Sequence, residues 1–330
     1  MTLAAVALGF LASGIIAASA GVHPGFAAAE LFNGAFAGPQ IFETLARAVP
    51  LVGMTLCAAL PFRGGMINLG GDGQLVLGGF AAAVIALYVP LPYGPRLVVA
   101  VLGAMTAGGL YAALAALGEV FAGVPMLVST WLLTYPARGL CSFLVRGQLR
   151  DPDNGLPSTL RIARGLRLGH LIDGTPVNQG FVLIALAAML VVFVDRLTPS
   201  GYELRMRGAS ARFARYGGVA VGRQTISVLF CSGALAGLVG AIMVLGDQFR
   251  FTDGALTAPQ YSWSGTLAAL LAGGEPVGAI MAGLFFAALQ TGGFAMERAS
   301  GIPRVLTMVL EAVIILFLSM GQAARRVAAR

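Results

Sequence analysis

Two stretches of this sequence place polar side chains in otherwise apolar surroundings. Residues 63–80 read Arg63-Gly-Gly-Met-Ile-Asn-Leu-Gly-Gly-Asp-Gly-Gln-Leu-Val-Leu-Gly-Gly-Phe80, so Asn68, Asp72 and Gln74 stand among Gly70, Gly71 and aliphatic residues. Residues 271–279 read Leu271-Ala-Gly-Gly-Glu-Pro-Val-Gly-Ala279, with Glu275 behind Gly273 and Gly274. Each is an apolar half-helix, a glycine pair, an acid, then a new helix. Neither stretch offers the Ser–His, His–Glu or paired-aspartate constellations that bond-making catalysis needs. His23 and His170 have no His or Cys neighbour, and Cys57, Cys141 and Cys231 lie far apart in apolar segments. No metal-ligand or disulfide spacing follows, and no cofactor is expected. The chain contains no lysine, so a P-loop, whose lysine must reach the β/γ-phosphates, cannot form. Any ATP must be handled by another chain. What acids in apolar segments can do is line a polar path or relay ions and protons. Irregular backbone at membrane depth is tolerated only where protein or a water-filled cavity satisfies it, and paired broken helices mark a translocation path. Glycine pairs also serve close helix packing, and that reading stays open. Asp72 is placed to cap a helix running from Gly73.

The elements that must position these residues are membrane helices. Of 330 residues, 58% are hydrophobic and 11% charged, and the mean hydropathy is +0.85. A soluble chain of this size needs more charge to cover its surface. Apolar runs of about 17–25 residues recur along the whole length, enough to cross a bilayer core. They do not alternate with polar residues, which excludes a barrel. Helices are predicted over 3–20, 42–62, 73–90, 96–117, 119–146, 180–197, 224–246, 276–297 and 303–320, with a shorter apolar piece at 262–272. The first lacks a basic n-region and reads as a membrane helix; a cleaved signal is the alternative. The expected fold is all-α: one transmembrane domain over 1–330, a polytopic bundle of about 8–10 membrane segments with broken or re-entrant helices.

Orientation follows from arginine. Arg205, Arg207, Arg212, Arg215 and Arg223 crowd segment 198–223, and Arg325, Arg326 and Arg330 the tail; both are expected in the cytoplasm. Loop 147–179 holds Asp151, Asp153 and Asp173 beside its arginines and is expected on the periplasmic side. The net charge of +7 is then a matter of topology and not of nucleic acid. Within 198–223, Phe213 and Tyr216 stand three apart with Arg212 and Arg215 beside them, and Gly208, Gly217 and Gly218 bound the segment. That spacing predicts a short helix over 209–216 with one aromatic face. It suits docking into a partner's groove or, equally, a positive loop that touches only headgroups.

Three patches resemble the permeases of bacterial ABC importers for branched-chain amino acids, simple sugars and nucleosides. Ile67-Asn-Leu-Gly-Gly-Asp-Gly-Gln74 is similar to the family's Asn-Ile-Gly-x-Glu-Gly-Gln signature, with Asp72 for the usual glutamate, and its form is nearest the nucleoside and purine branch. Thr198-Pro-Ser-Gly-Tyr-Glu-Leu-Arg205 through Ala214-Arg-Tyr-Gly-Gly218 and Ser232-Gly-Ala-Leu-Ala-Gly-Leu238 resembles the coupling segment and the helix after it. Ala268-Ala-Leu-Leu-Ala-Gly-Gly-Glu-Pro-Val-Gly278, then Gly301-Ile-Pro303 and Val309-Leu-Glu311, is the third. The chain departs from the branch at Val124-Pro125, where an Asn-Glu pair is usual, at Leu133-Thr134-Tyr135 and at Glu311.

The resemblance implies an ABC importer permease fold in the bacterial inner membrane and no enzymatic activity in this chain. It implies an external solute-binding protein, periplasmic or lipoprotein, and a second permease, related but different. It also implies ATPase subunits that grip Glu203, Arg205, Gly208, Arg212, Phe213, Arg215, Tyr216 and Gly217. The translocation pathway is assigned to Asn68, Gly70, Gly71, Asp72, Gln74, Gly273, Gly274 and Glu275; of these, Asn68, Asp72 and Gln74 either contact solute or only hold the broken helix in shape, and the resemblance favours the second, because it implies that recognition is left to the binding protein. The implied cargo is a nucleoside or nucleobase; a simple sugar or branched-chain amino acid is the alternative. An ion-coupled transporter with Asp72 and Glu275 as relays is the further one.

Overall fold

The computed structural model describes residues 23–300. The segments expected at 3–20 and 303–320, the arginine tail and Glu311 lie outside the described residues. Among the described residues the regular elements are helices, and only two isolated bridges form, Ser158 with Thr252 and His170 with Asn178. The helices are α1 Pro24–Phe36, α2 Gln40–Arg63, α3 Gly71–Tyr88, α4 Tyr93–Ala122, α5 Met126–Arg146 and α6 Gly180–Leu197, followed by α7 Pro199–Ala209, α8 Ala211–Tyr216, α9 Val221–Met243, α10 Tyr261–Leu271 and α11 Pro276–Ser300. A π-helical turn, Val244–Gln248, continues α9.

Among the described residues, six spans are long and apolar enough to cross a membrane: α2, α3, α4, α6, α9 with its π-turn, and α11. The protein is multi-pass. α5, at 21 residues, is a seventh by length, but it carries Ser129, Thr130, Thr134 and Arg138. α10 has 11 residues; at about 1.5 Å per residue it covers only half of a bilayer core. It is the half-helix expected at 262–272.

α9 is the central post. Its residues from Ser232 to Gly246 are buried without interruption, and its glycines let neighbouring backbones touch it. Gly233 faces the Gly108 carbonyl of α4, Gly237 the Ala104 carbonyl of α4, and Gly240 the Leu75 carbonyl of α3. Without a hydrophobic drive between helices inside lipid, this small-residue packing holds a bundle together. The outward faces of α4 and α6 expose Leu102, Leu110, Leu114, Leu186, Leu190 and Phe193, as lipid-facing helices must.

The two long loops lie at opposite ends of α6. Residues 147–179 fold down over one end. Ile162, Leu166 and Leu168 enter the core, and the amides of Thr159, Ile162 and Leu168 donate to the carbonyls of Phe251, Phe249 and Leu245. Residues 198–223 cover the other end, the arginine-rich end below.

Several boundaries differ from expectation. α4 runs past 117 to Ala122 and stops at Gly123, whose φ of +66° reverses the chain ahead of Pro125; continuous apolar sequence hid this stop. The segment expected as one helix from 209 to 216 is two pieces, because α7 continues through Gly208 to Ala209. Ser210 then caps α8, its hydroxyl accepting from the Phe213 amide at 3.3 Å. α1 was not expected at all. It opens on Pro24 with the His23 ring accepting from the Gly25 amide. It lies against α11, where Gly34 meets Ala295 and Gly292 meets the Leu31 carbonyl.

Candidate functional site

The first break spans residues 64–70, between the end of α2 and the start of α3. Its geometry is set by one buried amide pair. Asn68 and Gln74 are each 2% exposed and bond reciprocally: Asn68 Nδ2 donates to Gln74 Oε1 at 3.0 Å, and Gln74 Nε2 to Asn68 Oδ1 at 3.1 Å. Asn68 Oδ1 also accepts from the Gly70 amide at 2.9 Å, and Asn68 Nδ2 donates to Ser232 Oγ of α9 at 2.9 Å. The Ser232 hydroxyl in turn donates to the Cys57 carbonyl at 2.6 Å, and the Leu69 amide donates to Thr130 Oγ1 of α5 at 3.2 Å. Every hydrogen-bonding site of the Asn68 amide is thus used inside the protein. Asn68 and Gln74 staple the break in shape, one of the two roles open to them from the sequence. Gly70 and Gly71 allow close approach: a Cβ on Gly70 would lie 2.7 Å from the Thr130 carbonyl oxygen, and one on Gly71 2.5 Å from Ser262 Oγ.

Asp72 does not cap α3. The helix begins two residues earlier, at Gly71, with Gly70 as its N-cap and no side-chain cap. Asn68 has already taken the Gly70 amide, so Asp72 points sideways from the first turn. It is half-buried; its Oδ1 has no hydrogen-bond partner, and the charged and polar groups facing it are Arg138 of α5 and Ser262 of α10. A charged side chain at membrane depth must face the protein interior or a polar cavity, and Asp72 faces Arg138 and Ser262.

The second break, between α10 and α11, uses backbone conformation instead. Gly273 and Gly274 take φ values of +62° and +76°, the left-handed region open to glycine. Glu275 then does what Asp72 does not: its Oε2 accepts from the Gly278 amide at 2.5 Å, capping α11, while its Oε1 accepts from Arg196 Nη2 at 3.1 Å. Burial raises the Glu275 pKa, but the Gly278 amide, the Arg196 guanidinium and the Val277 amide outweigh it and leave the carboxyl below its ordinary value. Glu275 sits at the arginine-rich end, away from Asp72.

That end holds an ion cluster that sequence reasoning missed. Asp195, at the end of α6, is 3% exposed and receives Arg63 in a two-pronged bond, Nε to Oδ1 at 3.0 Å and Nη2 to Oδ2 at 3.1 Å. Arg205 of α7 approaches Oδ1 at 3.6 Å and donates to the Asp195 carbonyl. Gly208 lies over the Arg63 carbonyl, and Gly274 packs against Phe62 and Arg63. The only sequence signal was an Asp and an Arg closing an apolar helix, a common interfacial pattern. Below the first break a cavity of about 580 Å3 is lined in part by Gly65, Ile67, Glu119, Arg207 and Ser210. Burial lowers the Arg207 pKa and the charge of Glu119 opposes it.

On the outer surface of this end α8 presents Phe213, 65% exposed, and Tyr216, 86% exposed, with Arg212 and Arg215 exposed beside them and Gly217 at its C-cap. Glu203 is half-buried in α7. Two aromatic rings on a short, capped helix are thus left uncovered by the rest of the described chain.

The sequence model of the branched-chain amino acid transport system permease component matches residues 40–319, which takes in both breaks, α7 and α8. The chain belongs to that family. It is a transport subunit, and its all-α, multi-pass fold with paired breaks is the one that the resemblance implied. Among curated proteins it is 33% identical over 286 residues to the glucose ABC transporter permease protein TsgB13 of Haloferax volcanii, covering 84% of this chain and 75% of that one. It is 28% identical to the guanosine ABC transporter permease protein NupP of Bacillus subtilis, covering 98% and 93%. It is 27% identical to the nucleoside ABC transporter permease protein NupB of Lactococcus lactis subsp. cremoris, covering 96% and 89%.

Proposed function

We propose that this permease carries a nucleoside or nucleobase inward across a bacterial inner membrane as one subunit of an ABC importer. The observation that carries the ABC reading is α8, whose exposed Phe213 and Tyr216 stand on an arginine-rich end joined to the first helix break by the ion pair of buried Asp195 and to the second by the more exposed pair Arg196–Glu275. Such a surface suits a partner's groove, and the partner is an ATPase. With the arginine-rich segment 198–223 in the cytoplasm, loop 147–179 faces outside, where a solute-binding protein delivers cargo. A second, related permease completes the path along the face where Asp72, Arg138 and Ser262 meet. Asp72 is the pathway charge, Asn68 and Gln74 hold its helix, and the cavity at Glu119 and Arg207 is the inner vestibule. ATP-driven closure of the ATPase pair pushes α7 and α8 and exchanges access. Glu275, held by Arg196 and the Gly278 amide, is not free to relay protons, which weighs against an ion-coupled transporter.

The nucleoside assignment rests on the near full-length similarity to the guanosine and nucleoside permeases. Glucose is a second reading, favoured by the similarity to TsgB13. Thermal shift of the associated binding protein against nucleosides, nucleobases, hexoses, pentoses and branched-chain amino acids separates them: stabilisation grows as RT ln(1 + [L]/Kd), about 2.7 kcal/mol at a hundredfold excess over Kd. The ATPase assignment is tested by co-purification. Arg212→Glu and Gly217→Trp weaken recovery of the ATPase with this chain; undiminished recovery in both removes the docking role.

A further inference from the structure

We infer that Asp195 and Arg196, consecutive at the end of α6, form the latch through which movement of α7 reaches both helix breaks. The inference rests on the permease reading above and adds positioning residues to it.

Asp195 is nearly sealed from solvent, and a buried carboxylate persists only when paired and hydrogen-bonded. It is paired with two arginines from different elements: Arg63, the last residue of α2 before the first break, and Arg205 of α7. The Arg63 contact is a planar two-pronged bond, which fixes direction as well as distance. A lysine there would follow a shift with its flexible stem; the guanidinium fork passes the shift on. The backbone beneath has no slack either. Gly208 of α7 lies on the Arg63 carbonyl, Gly64 on Leu204, and Gly65, at φ +71°, would bring a Cβ to 3.6 Å from Gly208 Cα. α7 cannot slide against α6 without carrying Arg63.

The neighbouring residue does the same for the second break. Successive helix residues point about 100° apart, so Arg196 faces away from Arg63 and reaches Glu275, the cap of α11. Gly274 closes the ring by packing on Phe62 and Arg63. One helix end therefore grips the polypeptide just before the first break and just after the glycines of the second, through two charges of opposite sign. Displacing α7 loads both together, so the two breaks move as one element and not in sequence.

The test uses the assembled transporter, with its ATPase, second permease and binding protein, in proteoliposomes. Uptake of radiolabelled guanosine and glucose and ATP hydrolysis are measured in parallel. Asp195→Asn keeps size and removes charge. It is expected to raise ATP hydrolysed per solute moved by at least about fivefold, the lower end of coupling between linked sites, with complex yield and basal hydrolysis within twofold of wild type. Asp195→Glu recovers at least half of the lost coupling, which a purely structural role would not. Arg196→Gln, at a more exposed pair, raises the ratio by about twofold and decides the matter if Asp195→Asn does not assemble. A wild-type ratio in Asp195→Asn, or in Arg196→Gln where that variant alone assembles, overturns the latch and leaves the permease reading standing. Wild-type vesicles that show no ATP-dependent uptake of either solute overturn both.

Discussion

Replacing Asn68 by leucine removes four hydrogen bonds from a site that water does not reach. The Gly70 amide and Gln74 Nε2 lose their Asn68 partner, and Gln74 Oε1 is left with only the weak Cys57 thiol contact at 4.0 Å, whereas Ser232 keeps its bond to the Cys57 carbonyl. Hydrogen bonds in membrane proteins fall at the low end of the usual range, so each orphaned group costs about 1 kcal/mol and the variant about 3 kcal/mol. Gln74→Leu is milder, about 1 kcal/mol, because Asn68 retains Gly70 and Ser232. In the double variant only the Gly70 amide is orphaned, for a total of about 1 kcal/mol. The cycle should therefore close with a coupling of about 3 kcal/mol, at the upper end for contacting residues. Unfolding of the purified chain in mixed micelles with rising dodecyl sulfate gives the three free energies. Additivity to within about 0.5 kcal/mol would refute the staple. So would an Asn68→Leu protein that unfolds like wild type but needs far more solute for half-maximal uptake; that result would put Asn68 in contact with the cargo.

Asp72→Asn should lower uptake at least about tenfold, equivalent to 1.4 kcal/mol, at unchanged membrane levels; wild-type uptake would remove the charge from the mechanism. Gly274→Ala meets a φ of +76° and a backbone nitrogen, that of Arg63, 2.9 Å from the new Cβ. It should cost about 1–3 kcal/mol by the same unfolding assay, where a neutral result would mean that the second break can relax. Glu275 has a folded-state pKa held below its unfolded value, so its stabilisation is present above the unfolded pKa and disappears as pH falls through the folded one. Melting temperatures of wild type and Glu275→Gln should therefore differ at pH 7, begin to approach each other as pH falls past the reference carboxylate value of about 4.3, and converge only below the lowered folded-state pKa. A difference that persists into acid would assign the effect to something other than the carboxylate.

The sequence by itself determined the class of this protein. Apolar runs of spanning length leave a helical bundle as the only way to satisfy the backbone in lipid, and the glycine–acid punctuation at 70–72 and 273–275 located both breaks because nothing else interrupts a membrane helix so abruptly. Local signals also placed the aromatic pair on α8, three residues apart on one face. Tertiary structure decided what each polar residue is for. Asn68 and Asp72 stand four apart in one motif, yet one is enclosed by Ser232 and Gln74 while the other keeps a free oxygen; Ser232 is 164 positions from Asn68, and no local pattern encodes that meeting. Two acids that read alike, Asp72 and Glu275, divide into a side chain turned away from its helix start and a helix cap, because Asn68 satisfies the first helix start and Glu275 itself reaches the second. Asp195 was the least legible of all. An acid and an arginine closing a membrane helix look like ordinary interfacial residues, and only the approach of α2 and α7 from elsewhere in the chain turns that carboxylate into a buried junction.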